Sequence, residues 1–328
     1  MSMDLQGRPL SSRVPEPARA FSRGVVRAGG GAVVGVILYG SRLQRSSPGL
    51  HSAWDLVVVV DRYAPFHRAM KAAGYHHRPE WLMNFLGRVL PPYVTDFSPE
   101  EAEGVIAKCL VLSVAQFERA LSPHARDHFL KGRLVQHVEV VWTASPSQAD
   151  RIDRALAGAR WDALRWAGPF LQEPFDAASF TRTMLAVSFA GEIRPESRDR
   201  AREVWASQDR WLEETYAGLL ADAVEEGSLV RDPSGAYRLA RRPGRLTRLR
   251  LGAYFFWSKV RVTARWGKHI LTFNDWLTYI QRKAERRTGL TIELTARERR
   301  WPLLFLWPKV FWVLRQGRAE PTDLETPP

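Results

Sequence analysis

The sequence predicts an α/β domain, then a mainly helical domain carrying one hairpin, then a basic, aromatic C-terminal helical segment. Three observations predict it. Between residues 32 and 142, short β-branched runs alternate with amphipathic helical patterns, the rhythm of an α/β unit. From residue 149 the pattern turns helical until a single Gly- and Pro-bounded hairpin around residues 227–239. From 241 to 318 the chain holds 19 Lys+Arg against 4 Asp+Glu, while the remainder holds 29 against 31, so the formal charge of +13 is concentrated there.

Length and composition bound the answer. A chain of 328 residues and 37.4 kDa is better divided into two compact domains than kept as one. Hydrophobic residues at 45% and charged residues at 25% exclude fibrous, collagenous and wholly disordered classes. No run approaches the roughly 18 apolar residues of a membrane-spanning helix. The single Cys109 excludes an internal disulfide framework and a cysteine-rich zinc site, and argues against secretion.

Taken in order, residues 1–22 carry Pro9, Pro15 and Pro17 among Ser and Arg and read as a disordered leader. Residues 23–148 form the α/β domain. Its strands are expected at Ala32–Tyr39, Leu56–Val60, Ile106–Leu112 and His137–Trp142, with helices at Trp81–Val89 and Val114–Leu121. Apolar character without alternation implies strands covered on both faces. Residues 149–245 form the helical domain, with helices at Ala149–Leu156, Ala178–Ser188 and Arg198–Val224. The hairpin follows, turning at Asp232-Pro233-Ser234-Gly235. Residues 246–318 form the basic aromatic segment, and 319–328 read as a disordered tail.

The chemistry centres on a strand ending in Tyr39-Gly40-Ser41, a polar loop, and Asp55 opening the next apolar strand. In nucleotidyltransferases such a Gly-Ser turn holds triphosphate oxygens on backbone N–H groups and a hydroxyl, and the neighbouring carboxylate holds Mg²⁺. Small residues permit close backbone approach, and a hard oxygen suits Mg²⁺. A plain turn is the rival reading of Gly-Ser. The usual second carboxylate is missing, since Ala53 and Val57 flank Asp55 at a spacing of two. Asp61 ends the same strand, where metal ligand and turn residue are equal readings. Glu139, between Val138 and Val140, has the form of a third carboxylate. Cys109 reads as packing, and His67, His76 and His77 are too scattered for a metal site.

The longer pattern resembles one family. Tyr39-Gly40-Ser41, then Trp54-Asp55-Leu56 running into Val60-Asp61, resembles the mitochondrial translocator-assembly-and-maintenance type of phosphatidate cytidylyltransferase, or CDP-diacylglycerol synthase. That family also lacks the usual first Asp. His67, Tyr75-His76, Phe85-Leu86-Gly87, Lys108 with Val111-Leu112-Ser113, Phe129 to Leu134, and Phe189 to Arg194 resemble its further motifs in the same order. The resemblance covers about residues 30–245. It implies a nucleotidyltransferase-like domain joined to a winged-helix-like domain, with CTP between them, Mg²⁺ as cofactor and phosphatidate as the second substrate. It assigns the nucleotide to Tyr39, Gly40, Ser41, Lys108, Arg133, Glu192 and Arg194, catalysis to Asp55, Lys108 and Arg133, and the metal to Asp55 and Asp61.

A lipid substrate gives the C-terminal segment a partner. Lys and Arg attract an anionic membrane surface while Trp and Phe settle at its interface. Trp301–Leu314 is 14 residues long, too short to span, and Trp301, Trp307, Lys309 and Trp312 are its expected contacts. The expected location is peripheral, on the cytoplasmic face of a bacterial inner membrane or the matrix side of a mitochondrial one. The alternatives are a soluble nucleotidyltransferase acting on a sugar, drug or RNA end, and a winged-helix nucleic-acid binder with a degenerate enzyme domain. Nucleic acid is the weaker partner, because the domains outside the tail are slightly acidic.

Overall fold

Two central strands, β1 (Val33–Tyr39) and β2 (Trp54–Val60), pair antiparallel with Tyr39 opposite Asp55. The computed structural model describes residues 14–44, 53–76, 78–98, 106–191, 199–272 and 295. With β3 (Tyr93–Phe97), β4 (Ala107–Ser113) and β5 (Glu139–Thr143), these strands form a mixed sheet in the order β3-β4-β2-β1-β5. β2 and β4 run parallel, and the edges β3 and β5 are antiparallel to their neighbours.

Both sheet faces are covered, which is why the strands are apolar without alternation. Val36, Leu38, Leu56 and Val58 face a core closed by α1 (Glu16–Gly29), α3 (Tyr63–Ala72) and α4 (Glu80–Arg88), where Phe21, Phe66 and Met83 are buried. The expected leader is thereby corrected from residue 14 onward: Val14, Ala18 and Phe21 are core residues. Pro15 is the N-cap of α1 and Pro17 lies in its first turn, where a missing N–H costs nothing. Residues 1–13 lie outside the described residues.

On the other face, Ile37, Val57, Val59, Leu110 and Leu112 share a core with α5 (Val114–Leu121) and α7 (Pro146–Trp161). The short α6 (Lys131–Leu134) precedes β5. The same core continues through α8 (Ala163–Ala167), α9 (Ala177–Ala190), α10 (Asp199–Ala206) and α11 (Asp209–Glu225). The helix expected over Arg198–Val224 is thus two. It breaks at Gln208, whose ψ is 19° and whose side-chain amide turns back to the Val204 carbonyl at 3.1 Å. The hairpin forms as expected from β6 (Leu229–Arg231) and β7 (Tyr237–Leu239), and Phe175 bridges to Tyr237 beside it.

The last described helix, α12 (Arg245–Thr272), buries Leu251, Phe255 and Val262 in that continuous core. Part of the segment expected to serve a membrane therefore packs on the domains. Gly191, at the end of α9, permits the approach: a Cβ there would lie 2.4 Å from the Phe255 ring. Trp301, Trp307, Lys309 and Trp312 lie outside the described residues. Among the described residues no helix is long and apolar enough to cross a membrane.

Candidate active site

β1 ends at Tyr39, and Gly40 turns the chain with φ +88°, a conformation that favours glycine. The short α2 (Ser41–Gln44) follows, its Leu43 and Gln44 N–H groups donating to the Gly40 carbonyl at 3.1 and 3.2 Å. A Cβ on Gly40 would stand 2.5 Å from Asp55 Oδ2 and 3.1 Å from Asp55 Cβ. The carboxylate therefore lies directly against the bend. Arg42 fastens the far side, its guanidinium carbon 4.8 Å from the Trp54 ring centroid.

The sheet register extends this pair into a row. Asp55 pairs with Lys108 on β4, and Lys108 pairs with Asp96 on β3. Neighbouring strands stand about 4.8 Å apart, and residues two apart share a face. Tyr39, Asp55, Lys108 and Asp96 thus lie on the face of Ile37, Val57, Leu110 and Val94, in a row near one end of the strands. Asp96 was not singled out from the sequence. Its strand Tyr93-Val94-Thr95-Asp96-Phe97 is short and follows Pro91-Pro92, and its alternation was the signal available.

Asp61 does not join this row. It follows the last residue of β2, six positions and about 20 Å from Asp55 along an extended strand. There it is exposed beside Arg62, with its backbone N–H donating to Ala32 O at 2.8 Å. The expectation that both hold one metal ion is corrected by strand length alone. Glu139 sits on β5 with an oxygen 3.2 Å from His137 Nε2, which accounts for it as a local pair.

Gly132 and Arg133 belong to α6, held from below by a buried pair. Lys131 and Asp162 are almost wholly buried and bonded to each other, Lys131 Nζ also donating to Ser122 O at 2.7 Å. Burial pulls the lysine pKa down against the pull of Asp162. Arg133 lies over Phe129, its guanidinium carbon 3.8 Å from the ring centroid, and donates to Phe129 O at 2.6 Å. Gln136 ties this helix to the bend. Its Nε2 donates to Gly132 O at 2.7 Å, and its Oε1 accepts from Gln44 and Gln208, both at 3.3 Å. Gln136 and Gln208 link α2, α6 and the α10–α11 break, and no local sequence pattern announces that.

Burial raises the Cys109 thiol pKa, with Asp96 and Asp55 adding to it, so the thiol stays protonated. His67 is buried 5.3 Å from the His76 ring, and burial followed by that neighbour lowers its pKa to about 3. Glu192, Arg194 and His77 lie outside the described residues. Shallow surface hollows lie elsewhere, around Glu118, Ser122 and Arg151.

Among the described residues no three His, Cys, Asp or Glu side chains converge as a metal cluster. Mg²⁺ characteristically takes one or two carboxylates and completes its shell with waters and substrate phosphates. Asp55, a carboxylate set directly against the Gly40-Ser41 bend, fits that requirement. No protein-family model matches the chain, and no curated protein matches it either.

Proposed function

We propose that the protein is a nucleotidyltransferase, and more narrowly that it transfers CMP from CTP to phosphatidate, releasing pyrophosphate. The observation that carries the first statement is the contact of the Asp55 carboxylate with Gly40, which brings a hard anionic ligand to a glycine-serine bend. The narrower statement is supported by the ordered motifs shared with phosphatidate cytidylyltransferases and by the basic C-terminal region. In this reading the helical half with its β6–β7 hairpin is the winged-helix-like domain of that family.

The lipid phosphate attacks the α-phosphorus of CTP, a new P–O bond forms, and the bond to the β-phosphate oxygen breaks. Asp55 would hold Mg²⁺, which would supply charge neutralisation on the triphosphate and the departing pyrophosphate, while Asp96, two strand spacings away, lies beyond the reach of the same ion. Ser41 and the bend amides bind phosphate oxygens. Lys108 stands in register between the two carboxylates and offers its ammonium to the same phosphates. Arg133 lies over Phe129 and follows Gly132, whose carbonyl Gln136 holds, and its guanidinium would neutralise a phosphate. The nucleophile is already an anion at neutral pH, so no general base is required.

The test is formation of labelled CDP-diacylglycerol from CTP and dispersed phosphatidate. Asp55→Asn should lower the rate at least about 100-fold, the scale of losing a principal electrostatic group. Asp61→Asn should leave it within about twofold. Equal rates for wild type and Asp55→Asn end the metal assignment. Turnover of CTP with a soluble acceptor, and none with phosphatidate, ends the lipid one.

A further inference from the structure

We propose that the solvent face of α12 is the surface by which this protein docks on an anionic lipid bilayer. Leu246, Leu249, Phe256, Trp257 and Val260 are 60%, 71%, 62%, 60% and 42% exposed. At 100° per residue these five positions fall within an arc of about 100°, with exposed Ala253 inside it. Leu251, Phe255, Ser258 and Val262 occupy the opposite side and are buried. The helix is therefore apolar on two opposed faces, and the protein's own core uses one of them.

The borders of the exposed stripe name its occupant. Arg245 and Arg250 are exposed at its two edges, and exposed Arg248 and half-buried Lys259 lie farther round the helix. The whole of α12 contains no Asp or Glu. A stripe of Trp, Phe and Leu bordered by cations is the chemistry of a helix lying in a headgroup layer, where apolar burial and attraction to anionic lipid add. A second copy of the same face would set arginines against arginines, which disfavours a symmetric dimer through it. This stripe lies within the basic aromatic segment 246–318 that the sequence assigns to a membrane surface, upstream of Trp301–Trp312. The inference draws on the lipid-substrate reading for the choice of lipid alone, since docking is measured without nucleotide.

The experiment is co-sedimentation of the full chain with phosphatidylcholine vesicles, with and without phosphatidate. The wild type should bind the phosphatidate-containing vesicles and release as salt rises. A variant carrying Leu249→Ser, Phe256→Ser and Trp257→Ser should lose at least about tenfold in partition, because removing three exposed apolar side chains removes most of the insertable area. Its far-UV spectrum and melting temperature should stay unchanged, since none of the three is in the core. Arg245→Glu with Arg250→Glu should abolish the preference for anionic vesicles. Absence of wild-type binding, or equal binding by the serine variant, overturns the proposal. So does a wild-type dimer that the variant dissolves while vesicle binding persists. CTP turnover on detergent-dispersed phosphatidate separates the two readings: its loss in the wild type tells against the enzyme proposal, and its retention without vesicle binding tells against this one.

Discussion

Gly40 and Asp55 act as one object, because any side chain at residue 40 occupies the space of the carboxylate. Gly40→Ala would place a methyl 2.5 Å from Asp55 Oδ2 at a φ of +88°. The expected outcome is a stability loss of about 1–2 kcal/mol from backbone strain and a fall in CTP turnover of at least tenfold as the carboxylate is displaced. Gly31→Ala, with no atom within 4 Å, is the control and should change neither. Urea midpoints and initial rates read both effects. His67 makes a prediction of the opposite kind, about pH. Its pKa is 6.5 unperturbed and about 3 in the fold, lowered first by burial and then by His76. Below about pH 6.5 the unfolded chain takes up a proton that the folded one refuses until about pH 3. Stability is full above that window and declines as pH falls through it, by about 2 kcal/mol from this residue between pH 7.5 and 5. His67→Phe, among the rings of Tyr63, Phe66 and Tyr93, should flatten that decline in urea titrations at the two pH values.

The elements divide according to where their determinants lie in the chain. β1, β2, β4, α5 and the β6–β7 hairpin were legible within a residue or two, because each is specified by its own β-branched run, its capping residues or its turn. Ser113 and Gln116, for example, form a reciprocal capping box at the start of α5. The bend and Asp55 were legible for the same reason, as two short motifs on adjacent strands. What was not legible depends on distant partners. The α10–α11 break is specified by Gln208 meeting Gln136, 72 residues away, and Asp96 joins the row through a register that no local pattern encodes. The docking of α12 belongs to this class. Lys268 Nζ stands 2.9–3.1 Å from the carbonyl oxygens of Leu86, Val89, Leu90 and Pro92, which share its three N–H groups, and Arg265 reaches Leu90 O and Asp127. Burial and then Arg265 lower the Lys268 pKa to about 7, and the four carbonyl oxygens oppose that pull by favouring the ammonium. Lys268→Met keeps the stem and removes the donor, leaving buried carbonyls unmet. The expected cost is about 2–4 kcal/mol by urea unfolding, together with faster proteolysis within α12. An unchanged urea midpoint would show that the helix is held by its apolar face alone.

Across the whole molecule, one apolar core runs from the sheet face beneath Asp55 through α9 and α11 to α12, so residues more than 200 positions apart share a packing unit. Polar contacts cross it as well: Tyr216 donates to Val135 O at 2.8 Å, and the His128 N–H donates to Ser258 Oγ at 2.9 Å. Two domains separated by a soft linker would unfold in two steps, whereas halves joined by a shared core should unfold in one. Phe255 is the place to ask. It lies in α12, packs against Gly191 and stacks edge-on with His128, 5.2 Å between centroids. Phe255→Ala should cost about 3–5 kcal/mol. Far-UV dichroism, which follows every helix, and tryptophan fluorescence, which includes buried Trp166 and Trp54, should move to the same lower midpoint. If the loss were confined to α12, the dichroic signal would split, with an early phase the size of one helix and a late phase at the wild-type midpoint. A single shifted transition ties the stability of the Asp55 row to a helix that contributes no residue to it. The helix whose outer face is proposed to dock on lipid would then be anchored, by its inner face, to the core that holds the site in register.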